Sequence, residues 1–155
     1  KDFIFANPNY LKDLVEIACD TKDNNHHKAC WILELVCEER IELFIPFIDE
    51  FCEALPHFKI NPALRPTSKI CLFLSKSKKV TLTENQEEKI IETCLDHLIE
   101  TELAATAAYS MRALFELGKK HHWVNEELKM LLSRDLHNQS PGYCFAVKDI
   151  LKRLK

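Results

Sequence analysis

The sequence predicts an all-α fold, a right-handed α-α superhelix of about four stacked helical hairpins forming a small α-solenoid. Three observations carry this expectation: sparse glycine and proline, well-marked helix starts, and an apolar register that recurs at a near-constant period. Only two glycines and six prolines punctuate the 155 residues, of which 46% are hydrophobic. Alternation of apolar and polar residues hardly occurs, so long helices joined by short polar connections are favoured.

Asn7-Pro8, Asn61-Pro62 and Ser140-Pro141 each place a side chain able to accept from free backbone amides before a proline at the first helical position. Thr83, with Gln86 three residues on, reads as a capping box ahead of the apolar run that begins at Ile90. Gly118, between Leu117 and two lysines, reads as a left-handed helix stop. These signals give eight helices, over 8–20, 25–39, 41–55, 62–76, 84–100, 102–118, 123–136 and 141–154. They pair as hairpins 8–39, 41–76, 84–118 and 123–154 in a single domain spanning 1–155.

The second helix of each hairpin carries a small or branched residue followed by core positions three, four and seven residues later. The sets are Ala29, Ile32, Leu33 and Val36; Thr67, Ile70, Cys71 and Leu74; Ala107, Ser110, Met111 and Leu114; and Val147, Ile150, Leu151 and Leu154. The leading positions 29, 67, 107 and 147 are separated by 38, 40 and 40 residues. Spacing within one helix is common to any bundle, whereas a shared period is the signature of a repeat. A lone hairpin would expose its apolar stripe, and stacking buries it against the next hairpin. Leu33, Cys71, Met111 and Leu151 are therefore expected to be buried at equivalent places.

Composition narrows the function. The net charge is −3, with 11 basic and 12 acidic residues up to Lys79 and 10 and 12 after it. Neither half has the positive excess of a surface that follows a phosphate backbone, so nucleic acid is disfavoured as a partner. No run approaches the roughly 20 apolar residues of a membrane span. Seven cysteines without a Cys-x-x-Cys pair fit neither a disulfide framework nor a zinc knuckle. They read as small core residues of a chain in a reducing, cytoplasmic compartment, and no disulfide, metal or other cofactor is expected.

Candidate chemistry is thin. Glu92, Asp96 and Glu100 share one face of the fifth helix but lack a Glu-x-x-His partner, which favours a solvated acidic face, with His97 pointing elsewhere. His26-His27 and His121-His122 fall at helix ends, where imidazoles cap carbonyls or face water, and His57 and His137 stand alone. No glycine-rich phosphate loop and no Gly-x-Ser-x-Gly elbow is present.

Ile41-Glu42-Leu43-Phe44-Ile45-Pro46-Phe47-Ile48 resembles the first helix of a HEAT repeat, with its mid-helix proline. Leu64-Arg65-Pro66-Thr67-Ser68-Lys69-Ile70 resembles the second, which often opens with an arginine ahead of small residues. Lys28 stands for that basic residue in the first hairpin, while Ala105 and Phe145 depart from it in the third and fourth. More narrowly, His27-Lys28-Ala29-Cys30-Trp31-Ile32-Leu33-Glu34 and Ala107-Ala108-Tyr109-Ser110-Met111 resemble a group of short bacterial helical-repeat proteins often labelled adenylosuccinate lyase. The broad resemblance implies a HEAT/armadillo-like scaffold whose second helices line a partner-binding face. The narrow one implies a lyase-type metabolic enzyme, yet true lyases of that superfamily are much longer and carry a Ser- and Gly-rich signature loop that two glycines cannot supply.

Trp31, Lys69, Tyr109 and Asp149 share one repeat position, and Glu34, Leu72, Arg112 and Lys152 the next, which predicts two columns along the second-helix face. Tryptophan, tyrosine and arginine are the usual anchors of protein interfaces. The expected function is thus non-catalytic binding of a protein or acidic peptide by Trp31, Arg65, Lys69, Tyr109 and Arg112, edged by Glu34 and Glu116. A nucleic-acid-binding or DNA-repair role on the same fold is the main rival, opposed by Glu34, Glu38 and Glu116 in that surface.

Overall fold

The computed structural model describes residues 1–100, 103–133 and 139–154. Nine α-helices are found among the described residues: α1 (Asp2–Ala6), α2 (Leu11–Cys19), α3 (His26–Arg40), α4 (Ile48–Ala54), α5 (Asn61–Lys76), α6 (Glu84–Glu100), α7 (Ala104–Gly118), α8 (His122–Leu132) and α9 (Pro141–Arg153). Helices α2 to α9 correspond to the eight expected from the sequence. The expected ends at 102 and 136, and His137, lie outside the described residues.

Local chemistry explains where the elements depart from expectation. Residues Ile41–Phe47 form a 3-10 segment, and α4 starts only after it. Pro46 has no amide proton, and its ring crowds the carbonyl four residues back, so an α-helix cannot pass through unbent. Pro8–Tyr10 likewise form a 3-10 turn before α2. The short helix α1 went unforeseen because its five residues carry one buried side chain, Ile4, too few for a periodic signal. The Thr83–Gln86 capping box forms as expected, with Gln86 N–H donating to Thr83 Oγ1 at 3.1 Å and Thr83 N–H to Gln86 Oε1 at 2.9 Å. Ser140 accepts from Tyr143 N–H. Asn61 caps nothing with its side chain, and Asn7 caps not the element that follows it but the end of α1, its Nδ2 donating to the Phe3 carbonyl at 3.0 Å.

The helices form two layers. In one, α3, α5, α7 and α9 pack side by side in chain order, and in the other α4 touches α2 and α6, and α6 touches α8. Core residues lie between them. Ala29, Thr67, Ala107 and Val147 are all buried, as are Leu33, Cys71 and Met111. Leu151, expected to be buried like them, is only partly buried. Five of the seven cysteines are buried, and Cys19 and Cys144 are partly exposed. No described helix is long and apolar enough to cross a membrane.

Gly118 does not adopt a left-handed conformation; no glycine in the chain has a positive φ. Its lack of a side chain serves a close approach instead, since Asn125 of α8 packs where a Cβ would stand and donates from Nδ2 to the Gly118 carbonyl at 3.1 Å.

Candidate partner-binding groove

The first turns of α3, α5 and α7 lie side by side and leave a groove of about 640 Å³ between them. His27, Lys28, Trp31 and Glu34 line it from α3, Asn61, Pro62, Arg65 and Pro66 from α5, and Ala104, Ala105 and Thr106 from α7. Trp31 is 58% exposed, a large apolar surface held in water on α3. Its side chain points out of the stack because it falls between the core positions Ala29 and Leu33.

Of the five residues expected to bind a partner, Trp31 and Arg65 line this groove, and Arg65 has no ion-pair partner among the described residues. The other three are engaged with neighbouring repeats. Lys69 Nζ lies 3.5 Å from Glu34 and 3.8 Å from Glu38, and sits over the rings of Phe73 and Tyr109 at 5.6 and 5.8 Å. Tyr109 is half-buried beneath it. Arg112 Nη1 lies 3.1 Å from Asp149 Oδ2, and this hydrogen bond, with Arg153 nearby, holds the Asp149 carboxyl below its usual pKa. Glu116 does not edge the groove; it pairs with Lys119 at 2.9 Å.

The two columns are thus linked diagonally. Glu34 reaches Lys69 in the next repeat, and Arg112 reaches Asp149 in the next, so a second-column residue meets the first-column residue that follows it.

His27, Lys28 and Thr106 were not singled out for this surface from the sequence. One signal pointed toward it: the basic residue opening a second helix, met at Lys28 and Arg65, marks two of the helix starts that converge here.

The histidine pairs divide. His26 is 2% exposed, donates from Nδ1 to the Ala18 carbonyl at 2.6 Å and stacks on Phe58, which is the carbonyl-capping role. His121 meets the buried carboxylate of Glu87 at 3.3 Å beside Lys120. Glu92, Asp96 and Glu100 are exposed, and no three described His, Cys, Asp or Glu residues converge as a metal site. Burial pushes the thiols of Cys19, Cys30 and Cys52 up to about 12, far from the thiolate that nucleophilic chemistry needs at neutral pH.

Two layers of stacked hairpins with a groove across successive second helices define a helical-repeat protein. The family model for the HEAT repeat domain matches residues 2–154, and the chain belongs to that family. The match concerns the repeat architecture and carries no lyase activity with it. Comparison with curated proteins and with solved structures found no match.

Proposed function

We propose that this protein is a non-catalytic HEAT-repeat module that binds a protein through an acidic peptide segment laid across the first turns of α3, α5 and α7. The observation that carries the reading is the exposed Trp31 beside an Arg65 without an ion-pair partner among the described residues, in one groove spanning three repeats. A repeat stack offers a partner several shallow contacts at once without reshaping itself. Tryptophan supplies buried area on contact, and arginine supplies charge and directed donors. Lys69, Tyr109 and Arg112 enter as the extension of this face toward the fourth repeat, where their existing pairs keep the surface rigid.

The test is an NMR titration of the labelled full chain with an eight-residue peptide of aspartate, glutamate and leucine around a central serine. Shifts are expected on the Trp31 indole and on amides of the three first turns, and Trp31→Ala or Arg65→Glu should weaken binding at least tenfold. Shifts scattered over lysines elsewhere, or binding unchanged in both variants, would reject the groove as the binding face.

A further inference from the structure

Thr106 lines the groove and is fully buried, and its hydroxyl has no hydrogen-bond partner among the described residues. Three other buried hydroxyls of the second helices are satisfied. Thr67 donates to the Ala63 carbonyl at 2.7 Å, Ser68 to the Arg65 carbonyl at 2.9 Å, and Ser110 shares a 2.9 Å bond with His97. A buried polar atom left unpaired costs stability, and such an atom in the wall of a groove points to a ligand that completes it.

The surroundings of Thr106 are rich in donors and positive charge. Helices α3, α5 and α7 all open onto the groove, and none has a side-chain cap. First-turn amides have no partner within their own helix and carry the positive end of its dipole. Those of His26 and Ala63 already donate to the Asp23 and Ile60 carbonyls and Pro62 has none, so the free donors lie mainly on α7. Lys28 and Arg65 also face the groove without a carboxylate partner among the described residues. Among the described arginines, Arg40, Arg112 and Arg153 are each paired with an acid, so Arg65 stands apart. Among the described residues that line the groove the one acid, Glu34, is already met by Lys69 at 3.5 Å.

We propose that this groove contains an oxyanion site and that the acidic group it takes is a phosphomonoester on the partner segment. The inference rests on the peptide-binding reading above and names the chemistry of the group bound. Two cations without a carboxylate partner among the described residues match a dianion, and phosphate groups bind readily where helix N-termini present amides. The guanidinium engages two oxygens and the α7 amides the third, which the buried Thr106 hydroxyl meets once the first turn of α7 gives way to the ligand. A carboxylate, with one charge and two oxygens in a plane, leaves about half of these donors unused. Trp31 lies beside the site to receive the residue next to the phosphorylated one.

Inorganic phosphate is the first probe, added to the labelled full chain at constant ionic strength. Shifts are expected at Lys28, Arg65 and Ala104 to Thr106; Arg65→Gln and Lys28→Gln should each weaken binding at least fivefold, with Lys148→Gln, on α9 outside the groove, unchanged. Thr106→Val separates a ligand role from a structural one, since it should melt no lower than the parent yet bind phosphate more weakly. The peptide of the preceding section, phosphorylated on its central serine, should bind at least tenfold tighter than its unphosphorylated form. Phosphate shifts elsewhere, or undiminished binding by Arg65→Gln or Thr106→Val, overturn the site. If the unphosphorylated peptide binds through Arg65 and phosphorylation adds nothing, the phosphomonoester fails and the peptide reading stands. If neither peptide binds, both fail, even should phosphate alone occupy the groove.

Discussion

His97 of α6 shares its 2.9 Å hydrogen bond with Ser110 of the neighbouring helix, and burial pushes its pKa down to about 4, opposed by Asp96 and assisted by Lys59. In the unfolded chain the same imidazole titrates near 6.5. Between those values the unfolded state takes up a proton that the folded state refuses, so stability falls as pH drops from about 6.5 to 4, by up to about 3 kcal/mol. Urea unfolding at pH 7, 5.5 and 4 measures this loss. His97→Gln keeps a hydrogen-bonding group beside Ser110 and should flatten the profile; an equally steep decline would remove His97 as its source. Leu33 is fully buried between repeats, whereas Leu151 on α9 is partly buried. Truncation of Leu33 to alanine should cost about 2–5 kcal/mol, and truncation of Leu151 less, because its surroundings can collapse or admit water. The burial of Leu33, Cys71 and Met111 was legible, since their slots follow from periodicity, whereas Leu151 in the same slot is only partly covered. The pairings of His97 and Lys69 were not, because each partner lies on another helix, at a distance in sequence that no local pattern encodes.

Among the elements, the α7–α8 corner shows how a correct position can carry a wrong reason. Glycine was rightly placed at the end of α7, yet the left-handed stop assumed there is absent and the backbone stays helical into Lys119. What forbids a side chain is Asn125, seven residues on. Gly118→Ala should therefore destabilise the protein, as the new methyl group displaces the Asn125 amide from the Gly118 carbonyl. In an Asn125→Ala background the clash is gone, and the same change should stabilise by up to about 1 kcal/mol through helix propensity. Thermal melts of the four proteins decide it, with a destabilising Gly118→Ala in both backgrounds pointing to some other obstruction. Chemistry contained within a few residues, as in the Thr83–Gln86 box and Ser140, was read from the sequence correctly. The Asn61 cap failed for want of any local signal that its side chain would leave the helix end open at the groove.

For the molecule as a whole, stacking makes stability a property of neighbours. Among the described residues α5 and α7 have helices of their own layer on both sides, and α9 has one such neighbour, α7. Repeat stacks behave approximately as sums of unit and interface energies, so hydrogen exchange should be slowest in α5 and α7 and fastest in α9, with α9 opening below the global unfolding energy. Equal protection across all four would show that the chain unfolds as one cooperative unit. The repeat period made the layer order legible, while the groove depended on how three helix starts line up in space.

The diagonal pairs also act as addresses. Glu34 meets Lys69 and Arg112 meets Asp149 only because repeat two follows one and repeat four follows three. Were the hairpins spliced so that the fourth followed the first, Glu34 would face Asp149; were the second to follow the third, Arg112 would face Lys69. Each exchange turns an attraction into a repulsion. Units that look interchangeable by their apolar register are thus made distinct by charge, and a shuffled or domain-swapped stack would meet a penalty at the junctions that the native order satisfies.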